Sequence, residues 1–240
     1  MTLVRVHADV DDLAGSEDTQ IVAEMRDLDT ETHNWVGGGA ANQHDFAQVI
    51  ARDAIWALVS VGFAVLVLLY LMTGSVIVPI KALIINSLSI LAALGATTAV
   101  FQYGWFGVPK TAGLETFIVV IMIAFGFGLA MDYEVFLLAR IKEAWDAGES
   151  NNQSVATGLQ RSGRIITSAA AIIIAVFIGF GLGENVAIKQ IGVGLAIMVA
   201  TDATITRMLL VPSTMTIMGH WNWWAPKQLA KLAKRFSLSH

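Results

Sequence analysis

Gly126-Phe-Gly-Leu-Ala-Met-Asp-Tyr-Glu-Val-Phe-Leu-Leu-Ala-Arg140 closes an apolar run that begins near Leu114. The run is long enough to cross a bilayer, so its reading decides the fold class: a membrane-spanning helix with Asp132 inside it. A carboxylate at that depth costs about 2.5–3.5 kcal/mol on insertion scales. Chains carry that penalty where the charge has a use. Asp132 is therefore expected to face a protein interior or a wet path and to handle ions or protons.

The rest of the chain has the same character. Of its 240 residues, 55% are hydrophobic and only 14% charged, against about 25% charged in a soluble domain. Most of it must lie in lipid. Cysteine is absent, which excludes disulfides and thiolate metal sites. His7, His33, His44, His220 and His240 lack metal-ligand spacing. There is no P-loop and no nucleophile–base pair, so the chain reads as a non-enzyme, and its charge balance gives no footing for nucleic acid.

A hydrocarbon core of about 30 Å takes about 20 apolar residues per helix. Five runs qualify, at about 54–73, 77–101, 114–139, 165–182 and 187–211. Lys81, near the start of the second, is placed to snorkel to the interface. Orientation follows from loop cations, which favour the cytoplasmic side. Arg140, Lys142, Arg161 and Arg164 lie between the third and fourth runs, and Lys227, Lys231, Lys234 and Arg235 in the tail 213–240. Five spans put both basic regions inside and residues 1–53 outside, in a multi-pass cell-membrane protein. Trp221, Trp223 and Trp224 suit an interfacial aromatic belt.

About half of the acidic residues precede position 50, in a segment that reads as partial α/β. Residues 2–10 alternate in the manner of a half-buried strand. Ser16 suits a helix N-cap with Glu17 and Asp18 behind it; Ile21, Val22, Met25 and Leu28 share one face. A short segment near 34–36 follows, and 45–52 continue as helix into the first span. So few elements bury too little surface to stand alone, so partner strands are expected from elsewhere. The fold class is five transmembrane helices preceded by a partial extracellular α/β segment.

Several residues are candidates for chemistry. Tyr133 can donate to the Asp132 carboxylate or organise water. Glu134 lies 200° round the helix from Asp132 and is expected near an interface or beside a cation on another helix. Gly126 and Gly128 are small enough for close helix packing. Asp202 and Arg207, about 140° apart on an α-helix, form a poor pair, so Asp202 calls for a partner on another helix. Thr167 and Ser168 either bond back to their own helix or reach toward Asp132.

The stretch 126–140, with Gly163-Arg-Ile-Ile-Thr-Ser168, Ile188-Lys-Gln-Ile-Gly-Val-Gly-Leu195, Asp202-Ala-Thr-Ile-Thr-Arg-Met-Leu-Leu-Val-Pro212 and Trp221-Asn-Trp-Trp224, resembles the C-terminal part of an MMPL (mycobacterial membrane protein large) transporter of the RND superfamily. Val36-Gly-Gly38 with Asp45 resembles the end of its extracellular porter domain. The resemblance implies export of lipids or other hydrophobic molecules driven by the proton-motive force, with protons as coupling ion and no cofactor. It implies that Asp132 and Tyr133 are the second of two Asp-Tyr pairs forming a proton relay, with Asp202, Glu134, Thr167 and Ser168 as possible support. The first pair has no match here, so the implied partner is an N-terminal half. Alternative readings are a non-transporting scaffold or lipid-sensing domain, or an inactive remnant.

Overall fold

The structure, a computed structural model, describes residues 16–28 and 35–226. Helix α1 (Ser16–Asp27) is followed by α2 (Gly39–Thr73), α3 (Ile77–Tyr103), α4 (Thr116–Asp146), α5 (Asn151–Gly181) and α6 (Val186–Thr201). The last continues without a break into a π-helical segment (Asp202–Leu210), then α7 (Val211–Met218) and a 3-10 turn (Gly219–Trp223). Five helical stretches are long and apolar enough to cross a membrane. They overlap the five expected runs but are longer: α4, at 31 residues, measures about 46 Å, more than the hydrocarbon alone requires.

The expected α/β character is only partly met. The helix after Ser16 forms, and 45–52 lie within the unbroken α2, but no strand occurs among the described residues. Residues 35–37 are irregular; a strand there would need a hydrogen-bonding partner, and the described segments offer none. The expected strand at 2–10 and the tail from 227 onward lie outside the described residues. Arg26 pairs with Asp45 and also reaches the Val36 carbonyl at 3.3 Å. That contact ties α1 to the start of α2.

Chain reversals rest on local chemistry. α2 and α3 both stop at left-handed glycines, Gly74 (φ 68°) and Gly104 (φ 68°), whose N–H groups bond back to Tyr70 and Val100 carbonyls. α5 opens on Ser150 and α6 on Asn185, each accepting from a backbone N–H three residues on. The bundle is closest between α5 and α6. Gly192 allows this, since a Cβ there would lie 2.5 Å from the Gly181 nitrogen and 2.6 Å from the Phe177 oxygen. A Cβ at Gly126 would meet the Met198 side chain. At Gly128 the space is open, and the residue is exposed.

Two apolar clusters fill the interior. Leu69, Val78, Leu137, Leu138, Ile141, Ile166 and Met215 lie toward the end that holds the α4–α5 turn. Ile90, Ile118, Met122, Phe177, Leu195 and Met198 lie toward the other end. At the α4–α5 end the chain terminus is clamped. Asn222 donates to the Met215 and Gly219 carbonyls at 2.6 Å each, and Ser75 Oγ bonds the Asn222 and Trp224 carbonyls. Trp223 stacks on Trp145 at 5.2 Å instead of joining an interfacial belt; Trp221 and Trp224 remain half-exposed.

Replacing Gly192 by alanine sets a methyl against two backbone atoms and should lower stability by about 1–3 kcal/mol. Gly128→Ala meets open space and should leave stability unchanged or slightly raised. Thermal unfolding of the detergent-solubilised chain checks this; equal melting temperatures would contradict the packing described.

Candidate functional site

Between the two apolar clusters lies a layer of buried polar side chains, built from the π segment, α4 and α3. Arg207 is the largest fully buried side chain, 1% exposed. Its Nε donates to Asp202 Oδ2 at 2.7 Å, its Nη2 donates to the Ala130 carbonyl of α4, and its guanidinium lies over the Tyr133 ring, 5.2 Å from the centroid.

The Asp202–Arg207 pair corrects the sequence expectation that Asp202 needs a partner on another helix. The 140° separation holds for an α-helix. Here 202–210 are π-helical, with backbone bonds linking residues five apart, which brings i and i+5 onto one side. The wide turn makes the ion pair intrahelical. Such segments are rare and recur at functional sites.

Glu134, 2% exposed, points inward and accepts from Asn86 Nδ2 of α3. Its position opposite Asp132 is as expected, and its partner is an amide, with the Arg207, Asp202 and Lys81 charges close enough to act on it. One step further along α3, Ser89 accepts from Thr206 Oγ1 at 2.8 Å. Lys81 does not snorkel outward. It is 8% exposed and its ammonium donates to Asn222 Oδ1 at 3.4 Å.

Asp132 lies elsewhere. It is exposed, on one stripe of α4 with Phe125 and Gly128, and takes no hydrogen bond among the described residues. The expectation that it faces an interior is not met by this chain's own helices. The interior position went to Glu134, because the apolar contacts of Leu137, Leu138 and Ile141 fix which side of α4 turns inward. Tyr133, half-buried between the two on α4, lies under the Arg207 guanidinium. Gly158 sits against Ile141, and nine residues along each antiparallel helix bring Thr167 to the level of Asp132. The hydroxyls of Thr167 and Ser168 nonetheless bond back to Gly163 and Ile165 carbonyls.

The layer carries two carboxylates and one cation, Glu134, Asp202 and Arg207, with Lys81 nearer the α4–α5 end of the bundle. Asp202 keeps one oxygen, Oδ1, buried with no hydrogen-bond partner among the described residues. Asp202 also borders a small cleft with Phe125, Leu129, Phe177, Leu195 and Met198. The buried carboxylate therefore has one acceptor oxygen to spare beside the Arg207 guanidinium. Sequence reasoning missed Asn86, Ser89, Thr206 and the true place of Lys81. The signal was present: Lys81, Asn86 and Ser89 fall within an arc of about 140° on an otherwise apolar helix.

These features define a polytopic helical membrane protein with an ionic layer inside its bundle. The chain belongs to the MMPL family, whose family model matches residues 3–237. It is 43% identical over 228 residues to a putative membrane protein of Streptomyces coelicolor, covering 93% of this chain and 32% of that protein. It is 40% identical over 200 residues to the mycolic acid-containing lipids exporter MmpL11 of Mycolicibacterium smegmatis, covering 82% of this chain and 21% of the exporter. The heme uptake protein MmpL11 of Mycobacterium tuberculosis is 38% identical over the same length, again 82% and 21%. The chain thus spans between a fifth and a third of these relatives. They are named as membrane and transport proteins.

Removing one member of the buried pair isolates the other. Arg207→Met should destabilise the chain by about 3–5 kcal/mol, and the double change Asp202→Leu/Arg207→Met should recover most of that loss. Denaturation in mixed micelles measures both; equal instability of the single and double variants would show that the pair does not act as a unit.

Proposed function

We propose that this chain supplies the C-terminal membrane part of a proton-motive-force-driven exporter of lipids or other hydrophobic molecules. Residues 1–53 are the last piece of its porter domain on the outside, and the α4–α5 loop and basic tail lie in the cytoplasm. The observation that carries this reading is the buried ionic layer: Glu134, Asp202 and Arg207 at the core of a lipid-embedded bundle, with the Arg207 guanidinium over the ring of Tyr133 in the Asp132–Tyr133 pair. A scaffold has no need of them. Well-packed apolar residues in place of buried ion pairs are often neutral or stabilising by 1–4 kcal/mol, so a bundle selected only to hold its shape would shed the charges.

In this reading a proton binds at Asp132, and Tyr133 passes its effect to Arg207 and Asp202. The charge balance of the layer then changes, and so does the packing of α4 against α6. Each charge crossing the membrane supplies about 2.3 kcal/mol per 100 mV. The outward stripe of Phe125, Gly128 and Asp132 is the surface against which the N-terminal half of the transporter packs. That arrangement buries Asp132 in the assembly, though this chain leaves it open. The family membership and the lipid exporter among the relatives support a hydrophobic cargo.

The test is Asp132→Asn in the intact transporter. Proton-coupled export should be abolished while the protein still accumulates in the membrane. Export that keeps its dependence on the proton gradient in this variant would refute the relay role.

A further inference from the structure

The proposal above leaves open how the buried layer exchanges with water, since Glu134, Asp202 and Arg207 are all shut off from solvent within the bundle. One face of α3 supplies an answer. Ser89, Asn86 and Lys81 step from the layer to the α4–α5 end of the bundle over eight residues, about 12 Å of helix. Each has a polar contact on a different element: Ser89 with Thr206 of the π segment, Asn86 with Glu134 of α4, and Lys81 with Asn222 of the terminal turn. All three are buried. Asn86 Oδ1 has no partner among the described residues, and a buried amide oxygen in that state is costly unless water meets it.

We infer that this face of α3 is a hydrated lane connecting the buried ionic layer to the membrane face that holds the α4–α5 turn, with Lys81 as the group at its mouth. The inference rests on the proton-transport reading for its purpose and on the α3 geometry for its existence. The charged and titratable groups around Glu134 are Lys81 from α3, Arg207 and Asp202 from the π segment, and Tyr133 on its own helix. They place a cation at either end of the Glu134 carboxylate. Proton movement needs no redox partner. A carboxyl O–H of Glu134 breaks as a lane water gains the proton. That water yields it to the lone pair of a neutral Lys81 amine, and the resulting ammonium releases a proton to bulk water. Lysine suits the last position because burial readily moves it between its two forms, whereas arginine stays charged.

Asn222 fixes the mouth. Its amide nitrogen is spent on the Met215 and Gly219 carbonyls, which leaves Oδ1 facing the Lys81 ammonium. Trp223, stacked on Trp145, closes the side. Ile84 and Leu88, each about 160° round α3 from Asn86, are exposed at the bundle surface and read the lipid instead.

The chain has no cysteine, so single cysteines report position without background. The full chain in membrane vesicles, carrying Lys81→Cys, Asn86→Cys or Ser89→Cys, would be treated with a small charged methanethiosulfonate. The reagent is applied separately from each side, with Asn152→Cys in the α4–α5 region as the reference for sidedness. All three lane positions should label from the side that labels Asn152→Cys, and Ile84→Cys and Leu88→Cys should not label from either. Ser89→Cys, a near-isosteric change, keeps the test decisive if Asn86→Cys does not accumulate. Labelling confined to Lys81→Cys and Asn152→Cys, or equal labelling of the lane and lipid faces, would overturn the lane. Because labelling reads water and not transport, a labelled lane stands even if Asp132→Asn leaves export intact.

Discussion

A guanidinium sealed inside a bundle of helices has to find every partner within the protein, because lipid offers none. Arg207 is in that position, and its needs organise what surrounds it. It takes a carboxylate oxygen from its own helix, a backbone carbonyl from α4 and the face of an aromatic ring. Those three contacts hold α4 and the last span in one register. The interfaces of α4 with α5 and of α5 with α6 are then settled by small residues, with Gly158 against Ile141 and Gly192 against the α5 backbone.

The same charge explains why the backbone departs from α-helix where it does. A regular helix would turn Asp202 away from Arg207 by about 140° and leave a bare cation in the core, at a cost of several kcal/mol. Widening the turn costs less than that. The two apolar clusters on either side tolerate the change because the π segment feeds directly back into α-helix at Val211. α4 in turn is two-sided in its chemistry. Glu134 serves the interior, Asp132 the open surface, and Tyr133 lies between them under the Arg207 guanidinium.

Much of this was legible in the sequence. Hydropathy alone placed five spans, because about 20 apolar residues have one stable arrangement in a bilayer. The motif around Asp132 singled out α4, and the 200° step separated Asp132 from Glu134, which the structure shows as one exposed and one buried residue. Which of the two faces inward was not legible, since that depends on how Leu137 and Ile141 pack against other helices. The Asp202–Arg207 pair was misread because the spacing rule assumed 3.6 residues per turn, and no single-residue propensity announces a π segment. The α3 lane went unseen because Asn86 and Ser89 are weakly polar against many apolar neighbours; only the third dimension lines them up with Lys81.

The π segment also constrains the chain in a way that composition does not express. A π turn holds more residues than an α turn over the same rise, so the segment Asp202–Leu210 contains surplus length. Loss of a single residue there would relax it toward ordinary α-helix and leave the helix beyond it facing much as before, because the wide turn absorbs the extra residue. Where the loss fell would matter more than its size: between Asp202 and Arg207 it would leave the two four residues apart and still on one side, whereas beyond Arg207 it would restore the 140° separation and break the pair.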